Sequence, residues 1–393
     1  MRVSRLQLTN IFICLLMNML DGMDVMVVSY AAPSISASWA ISSGGLGLLF
    51  SAGLFGMSIG AMFLAPSADK FGRKTIILFC NALMGLSVFA TSYTSSVETL
   101  IILRVLSGIG IGGVLASTAT LTAECAPNTT KDFWVSFVMS GYPIGAVISG
   151  FAASTVIPIY GWQTMFKIAG ASSLIVIPIV YFILKESEEF LQKSAVKKNT
   201  GVGTLLNSEY KKPTLWLWLA IFMAFATLYF LTTWIPKLAS ATGLSVELAI
   251  YAGTIFNLGA FCGIVSQGYL SAKFGLQKTI FWYLVFTAVL MVIFGFFKGS
   301  VIVLTLFGLL GFGIQGGFVG MYSLSARLYP VGIRATGVGW SVGAGRVGAI
   351  AGPLVGGLLI GAGLSMSSNF IAFAIPTIIA GIATLFIRPK ETN

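Results

Sequence analysis

The stretch KESEEFLQKSAVKKNTGVGTLLNSEYKKP, residues 185–213, is the longest polar segment of an otherwise strongly apolar chain. Of the 393 residues, 56% are hydrophobic and only 9% are charged, whereas soluble domains carry about 25% charged residues. Six apolar runs lie on each side of this segment, and each is close to the ~20 residues that a membrane-spanning helix needs. The runs are too long and continuous for barrel strands, so the sequence predicts an all-α membrane protein.

The twelve predicted spans determine the domain organisation. They cover residues 9–32, 45–66, 75–94, 99–123, 133–157, 164–184, 214–236, 247–270, 279–297, 300–324, 336–361 and 369–387. We therefore predict an N-terminal six-helix bundle at 1–184, a cytoplasmic linker at 185–213 and a C-terminal six-helix bundle at 214–393.

The net charge of +11 is explained by membrane topology rather than by nucleic-acid binding. If both termini are cytoplasmic, as an even number of spans allows, 18 of the 23 Lys and Arg residues fall on the cytoplasmic side. The five exceptions are Arg104, Lys167, Lys237, Lys298 and Arg346. This bias follows the positive-inside rule. We expect a monomeric, multi-pass protein of the plasma membrane (a bacterial inner membrane). Its expected partner is the lipid bilayer, and nucleic-acid binding is not expected.

The two halves resemble each other at one fixed offset. Sliding the chain by 203 residues places DKFGRK (69–74) on AKFGLQ (272–277) and GIGIGG (108–113) on GFGIQG (311–316). Several matches at one offset favour an internal repeat over chance in a Gly-rich chain. Parallel repeats are typical of transporters whose substrate site lies near the bilayer midplane.

Several motifs carry a family resemblance. SADKFGRK (67–74), RVLSGIGIGG (104–113) and GYPIGAVISG (141–150) resemble the loop 2–3, fourth-helix and fifth-helix motifs of the major facilitator superfamily. Ala65 replaces the first glycine of the loop motif. The resemblance implies a major facilitator fold, with twelve transmembrane helices in two pseudo-symmetric six-helix bundles. More narrowly, DGMD (21–24) and GAGRVGAIAGP (343–353) resemble the aromatic acid:proton symporter family.

Two aspartates, Asp21 and Asp24, interrupt the first predicted span. Residues three apart share a helix face, and a charge at bilayer depth costs about 2.5–3.5 kcal/mol on insertion scales, so this face points into the bundle. Burial and a neighbouring like charge favour a neutral carboxyl group, which suits a proton-coupling site. The alternative is a static pair bonded to backbone or hydroxyl groups.

The chain contains no histidine, which excludes a histidine proton relay and a His-ligated metal site. The four cysteines have no metal-ligand spacing. We therefore expect no metal and no cofactor, with the proton gradient as the energy source.

Arg104 is the third candidate proton-coupling residue. At 1.5 Å per residue, Arg104 and Asp24 lie roughly 8 and 12 Å from the outer ends of their predicted spans, so a contact between them is expected. Its strength would depend on the protonation of Asp24. The superfamily resemblance implies a role for this arginine in proton coupling, and a fixed salt bridge is the alternative.

Arg346 predicts an anionic substrate. It lies roughly 15 Å into the eleventh predicted span, near the middle of a ~30 Å hydrocarbon core. Glu247, near the outer surface, is the one acidic residue within 214–387. A guanidinium group binds a carboxylate bidentately. Pairing with an aspartate of the first half is the alternative.

The superfamily resemblance implies further cavity-lining residues around the substrate. The candidates are Tyr322, Gln315, Tyr229, Asn257, Tyr142 and Trp340. Aromatic faces with amide and hydroxyl donors suit a ring that bears polar groups. Ordinary packing is the alternative for each, and interfacial anchoring is the alternative for Trp340.

Charged residues near the predicted cytoplasmic ends form a candidate gate that latches the two halves in outward-facing states. They are Asp69, Lys70, Arg73, Glu124, Glu186 and Arg327. Asp69 is expected to cap the start of the eleventh helix, where the helix dipole favours an anion. Its counterpart at the 203-residue offset is Ala272, so the predicted latch is asymmetric.

These features predict a secondary active transporter that takes up a small organic anion with a proton by alternating access. An aromatic carboxylate is the expected substrate. A proton-coupled antiporter that exports drugs or metabolites is the second hypothesis, since it also needs an embedded carboxylate. A non-transporting membrane sensor is the third, although the loop 2–3 motif weighs against it. An enzyme is not expected, because the sequence has no nucleophile or metal constellation.

Overall fold

The computed structural model describes residues 4–127, 131–186, 205–207, 210–241, 243–297, 299–329 and 331–387. Within these ranges the side chains of residues 65, 66, 69, 131–133, 136, 331, 332 and 334–336 are outside the description. The secondary structure of the described residues is helical throughout, without strands. The predicted all-α class is therefore confirmed.

The described residues of the first half form eight helices. They are α1 Arg5–Trp39, α2 Ser43–Ile59, α3 Ala65–Phe71, α4 Arg73–Thr91, α5 Val97–Cys125, α6 Lys131–Met139, α7 Gly141–Tyr160 and α8 Trp162–Ile183. A π-helical turn, Gly60–Leu64, continues α2. Ser4, Ser42 and Ser96 begin α1, α2 and α5, and each accepts a backbone N–H three residues later, which satisfies an otherwise unpaired donor at the helix start.

The second half contributes six helices to the described residues. They are α9 Lys211–Ala241, α10 Val246–Phe274, α11 Leu276–Ile293, α12 Ser300–Leu328, α13 Val331–Gly361 and α14 Met366–Leu385. A 3₁₀ turn, Phe294–Phe296, continues α11.

Among the residues that the structure describes, twelve helices are long and apolar enough to cross a membrane, as predicted. The spans are formed by α1, α2 with its π turn, α4, α5, α7, α8 and the six helices α9–α14. The short helices α3 and α6 precede α4 and α7. The chain is a multi-pass membrane protein.

Contacts divide the chain into two compact units, Met1–Ala195 and Val196–Asn393. In the first unit, α1 packs on α5, α7 and α8, while α4 packs on α5 and α8. In the second unit, α9 packs on α12, α13 and α14, while α11 packs on α12 and α14. The domain boundaries proposed from the sequence stay a prediction. Most of the proposed linker lies outside the described residues.

The internal repeat is visible in the helix packing. Glycines at the helix interfaces face backbone atoms of a neighbouring helix, so that a Cβ atom at these positions would overlap that backbone. Each of four contacts in the first half has a counterpart 203 residues later. Gly56–Val105 corresponds to Gly259–Gly308, Gly60–Ile109 to Gly263–Phe312, Gly108–Gly53 to Gly311–Phe256, and Gly145–Met19 to Gly348–Phe222. Small residues allow membrane helices to approach this closely, so the glycine-rich motifs are packing motifs.

Candidate functional site

The two aspartates of α1 are completely buried. Asp21 and Asp24 both have 0% exposure, and their carboxylate oxygens accept no hydrogen bond from any described residue. Gly22, between them, faces the backbone of Tyr142 on α7, where a Cβ atom would overlap the Tyr142 carbonyl. The close contact between α1 and α7 thus fixes the position of the DGMD motif.

The carboxylates lie near residues of α4 and α5. Asp21 is within electrostatic range of Asp24 and of Cys80 on α4, and Asp24 is within electrostatic range of Arg104 on α5. The expected proximity of Asp24 and Arg104 is therefore present. No hydrogen bond or ion pair joins them in the described part of the chain, so the structure does not contain the fixed salt bridge.

Arg104 is held by an uncharged hydroxyl and an aromatic ring. It is 3% exposed, and its Nη2 donates to the Thr91 hydroxyl over 3.4 Å. The Phe166 ring centroid lies 5.3 Å from its Cζ, a cation–π geometry. Nε has no partner among the described residues. This leaves the guanidinium able to respond to the charge of Asp24.

The predicted distance of Asp24 from the end of its helix was too short. The apolar run ends near Ala32, but α1 continues to Trp39, which places Asp24 roughly 22 Å from the end of the helix at 1.5 Å per residue. Polar serines beyond Ala32 hide this extension from a hydropathy criterion. Counting residues from a span end therefore did not measure the depth of Asp24.

A second buried charge lies in the C-terminal half. Arg346 is 9% exposed, and its Nε and Nη1 have no hydrogen-bond acceptor among the described residues. Tyr322 of α12 is within electrostatic range of Arg346, and Tyr229 of α9 is within range of Tyr322. The preceding residue, Gly345, faces the ring of Phe225. Arg346 therefore lies beside aromatic residues of α9 and α12.

Four rings form a continuous aromatic wall, which we define as Phe225, Tyr229, Phe318 and Tyr322. Phe225 stacks on Tyr229 with centroids 5.7 Å apart and meets Phe318 edge-on at 4.6 Å. Phe318 then meets Tyr322 at 5.2 Å. Sequence reasoning missed Phe225 and Phe318, because 30 Phe residues give no single one prominence. The sequence signal for them was spacing: Phe225 lies four residues before Tyr229, and Phe318 lies four residues before Tyr322. This spacing places each Phe on the same helix face as its Tyr.

The other predicted substrate residues are not linked to Arg346 by a described contact. Gln315 is buried in α12, and Asn257 is buried in α10, where its amide donates to the Gly253 carbonyl over 2.9 Å. Trp340 is 48% exposed and stacks on Trp218 with centroids 6.1 Å apart. Tyr142 belongs to α7 of the first unit.

Three candidate gate residues meet within the first half. Arg73 binds Glu124 bidentately, through Nε at 3.2 Å and Nη2 at 2.8 Å, and its Nη1 donates to the Ala68 carbonyl. Glu186 accepts the backbone N–H groups of Arg73 and Lys74 at 3.0 and 3.2 Å. Glu186 thereby places a negative charge at the start of α4, where the helix dipole favours it.

The remaining gate residues are not part of this cluster. Lys70 and Arg327 are exposed and form no ion pair with a described residue. The side chain of Asp69 lies outside the described residues. The latch between the halves therefore stays a prediction.

Comparison with known proteins gives close relatives over nearly the whole chain. The family described as Major Facilitator Superfamily matches residues 14–299 and 236–393. A 4-hydroxybenzoate transporter from Acinetobacter baylyi is 32% identical, with 98% of this chain and 92% of the relative covered. A 3-(3-hydroxy-phenyl)propionate transporter from Escherichia coli is 31% identical, with 99% and 96% covered.

Solved structures support the same fold. A D-xylose-proton symporter superposes with a TM-score of 0.82 at 18% identity, over 98% of this chain and 99% of the symporter. The xylose transporter XylE from E. coli, in a partially occluded inward open conformation, gives a TM-score of 0.79 at 18% identity, with 99% of each chain covered. At this identity the likeness concerns the fold alone.

Proposed function

The chain belongs to the major facilitator superfamily, and we propose that it takes up an aromatic carboxylate together with a proton by alternating access. The substrate class is supported by relatives whose names specify transport of 4-hydroxybenzoate, benzoate, gallate and 3-(3-hydroxy-phenyl)propionate. Each of these molecules combines an aromatic ring with a carboxylate.

One observation carries the proposal: each half buries charge that has no ion pair among the described residues. The first half holds the carboxylates of Asp21 and Asp24, and the second holds the guanidinium of Arg346. A buried charge without a partner is strongly unfavourable. A proton neutralises a carboxylate, and an anion neutralises a guanidinium. Binding of a proton and of an anion would therefore remove the unpaired buried charge in each half.

The proton would bind Asp21 or Asp24. Protonation of Asp24 removes its attraction for Arg104, which the Thr91 hydroxyl and the Phe166 ring continue to hold. The charge state of the pair would then select between two arrangements of α1 and α5. This coupling is how a proton gradient would drive the transport cycle.

The substrate carboxylate would bind Arg346 through its planar fork of donors. The aromatic wall offers ring faces and two hydroxyl groups beside the guanidinium. A benzoate-like ring packs favourably against such faces. The remaining substrate candidates, Gln315, Asn257, Tyr142 and Trp340, stay predictions.

Uptake by the purified protein in proteoliposomes tests this function. We expect labelled 4-hydroxybenzoate to accumulate when the lumen is alkaline relative to the outside, and not when the two pH values are equal. Unlabelled benzoate should compete, whereas a matched uncharged ring such as benzyl alcohol should not. Efflux driven by an inward proton gradient would instead identify the antiporter.

A further inference from the structure

We propose that the proton leaves Asp21 through the interior of the first half, along a buried polar seam between α1 and α5, rather than along the substrate's path. The inference rests on the proposed function. Its starting point is the complete burial of Asp21 and Asp24. A proton bound there needs a route of polar groups or water to reach the surface.

The α1 side of the seam is a line of polar residues. Asn10, Cys14, Asn18 and Asp21 follow one another at spacings of four, four and three, which places them on one helix face. All four are buried. The line runs from the aspartates toward the start of α1, the end that the charge distribution predicts to be cytoplasmic.

Residues of α5 complete the seam. The Asn18 amide donates to the Thr118 hydroxyl over 3.0 Å, and the Cys14 thiol lies beside the Thr122 hydroxyl. The Asn10 amide contacts the Cys125 sulfur at 3.5 Å. We define the polar seam as Asn10, Cys14, Asn18, Thr118, Thr122 and Cys125.

The seam reaches the surface at Lys185. Asn10 donates to the Lys185 carbonyl over 3.1 Å and accepts its backbone N–H over 3.2 Å, and Lys185 is exposed. At the other end, the Asn18 Oδ1 and both Asp21 oxygens have no partner among the described residues. Buried polar atoms of this kind are usually satisfied by ordered water, and here they lie next to the proposed proton carrier.

The second half shows that the fold does not require a polar seam. The residues 203 positions after the seam and Asp21 lie in α9 and α12, which pack against each other. Of these seven residues only Ser325 is polar; the others are Pro213, Leu217, Ile221, Ala224, Met321 and Leu328. Ordinary aliphatic packing therefore satisfies the same geometry, and the polarity of the first-half seam needs another explanation.

The chemistry is a proton transfer. The Asp21 carboxyl O–H bond breaks, a neighbouring water accepts the proton, and Asp21 becomes a carboxylate. The Asn18 Oδ1 positions that water. The Thr118 and Thr122 hydroxyls donate to the carbonyls of Val114 and Thr118 in their own helix, and their oxygens accept hydrogen bonds along the route. The proton enters bulk water at the Lys185 end. The titratable groups facing Asp21 are Asp24 and Cys80, and those in the seam are Cys14 and Cys125.

Two transport assays separate proton release from substrate movement. Uptake driven by a pH gradient requires the proton to leave on the inside, whereas exchange of labelled for unlabelled substrate at equal pH does not. For Thr118→Val we expect gradient-driven uptake to fall roughly tenfold, the effect of about 1.4 kcal/mol added to a barrier, with exchange unchanged. Thr118→Ser should restore uptake, and Asn18→Leu should repeat the Thr118→Val result.

Thr254→Val in α10 is the matched control, because Thr254 is buried and its hydroxyl also bonds to its own helix four residues earlier. It should leave both assays unchanged. A parallel fall of uptake and exchange in both seam variants would assign the seam to packing and overturn the proposal. Unchanged uptake in both would also overturn it. A wild-type protein whose uptake ignores the pH gradient would refute the proposed function itself, before any variant is measured.

Discussion

At the scale of the residue, Arg346 is a buried charge that no described residue of its half neutralises. Its Nε and Nη1 lack acceptors among the described residues, and an unsatisfied buried donor costs about 1–3 kcal/mol, more when charged. A bound carboxylate would recover that cost. Affinity for an aromatic acid should therefore depend on this side chain more than on any ring of the aromatic wall.

Replacing Arg346 should abolish ligand-induced stabilisation. Loss of even one charge-assisted hydrogen bond, worth about 1.5–3 kcal/mol, weakens binding roughly 10–150-fold. We expect 4-hydroxybenzoate to raise the Tm of the wild type and not that of Arg346→Ala, with Arg346→Lys intermediate because lysine lacks the planar fork. Arg5→Gln, at an exposed position, is the control. A full Tm shift in Arg346→Ala would contradict the assignment.

The aspartates can be distinguished by the same pair of transport assays. An Asn side chain resembles a permanently protonated Asp in size and charge. Asp24→Asn should therefore lose gradient-driven uptake and retain exchange. Asp21→Asn should behave in the same way, because the proposed release route begins at this carboxyl group. Intact gradient-driven uptake in both variants would exclude a coupling role for the pair.

At the scale of the element, glycine contacts determine how closely the helices pack. Gly145 of α7 faces the backbone of Met19 on α1, where a Cβ atom would overlap it. Gly145→Ala should thus separate α1 from α7 and lower stability by about 1–3 kcal/mol, the usual cost of overpacking. Thermal unfolding in detergent would measure it.

Gly268 of α10 provides the matched control for Gly145. A Cβ atom there meets nothing within 4 Å. Gly268→Ala should therefore stabilise the helix by about 0.5–1 kcal/mol. Equal effects of the two substitutions would mean that helix propensity, and not interhelical contact, governs both sites.

The ion pair of Arg73 and Glu124 joins α4 to α5 inside the first half. Both side chains are largely buried, and removing one partner of a buried pair typically costs 3–5 kcal/mol, because an uncompensated charge remains. Glu124→Gln should lower the Tm, and the double variant Arg73→Met with Glu124→Leu should recover most of the loss. A double variant as unstable as the single one would indicate that the pair itself stabilises the half.

The sequence predicted the helices well because hydropathy and length are sufficient for membrane spans. It did not predict that α1 extends beyond Ala32 to Trp39, because the serines at 34, 36 and 38 interrupt the apolar run. It grouped Tyr322, Tyr229 and Trp340 with Arg346. The structure places Tyr322 within electrostatic range of Arg346, whereas Trp340 stacks on Trp218 and its role in substrate binding stays a prediction. Residue type and span number do not specify which face a side chain occupies.

At the scale of the whole molecule, the charges of the two cargoes should cancel. One proton bound in the first half and one monoanion bound at Arg346 carry no net charge together. Uptake driven by a pH gradient should therefore be insensitive to a membrane potential imposed with valinomycin and potassium. Acceleration by an inside-negative potential would contradict this stoichiometry and indicate more than one proton per anion.

The glycine contacts also show that equivalent segments of the two halves have the same length. Because Gly145–Met19 and Gly348–Phe222 share their offset with the pairs between them, the segments 19–145 and 222–348 have the same number of residues, loops included. Side chains differ between the two copies: Asp21 corresponds to Ala224, and Arg104 corresponds to Phe307. No net insertion or deletion separates the two segments. One added residue turns everything beyond it by about 100° around a helix axis. Equal length between these contacts therefore keeps the glycines of both halves on matching helix faces.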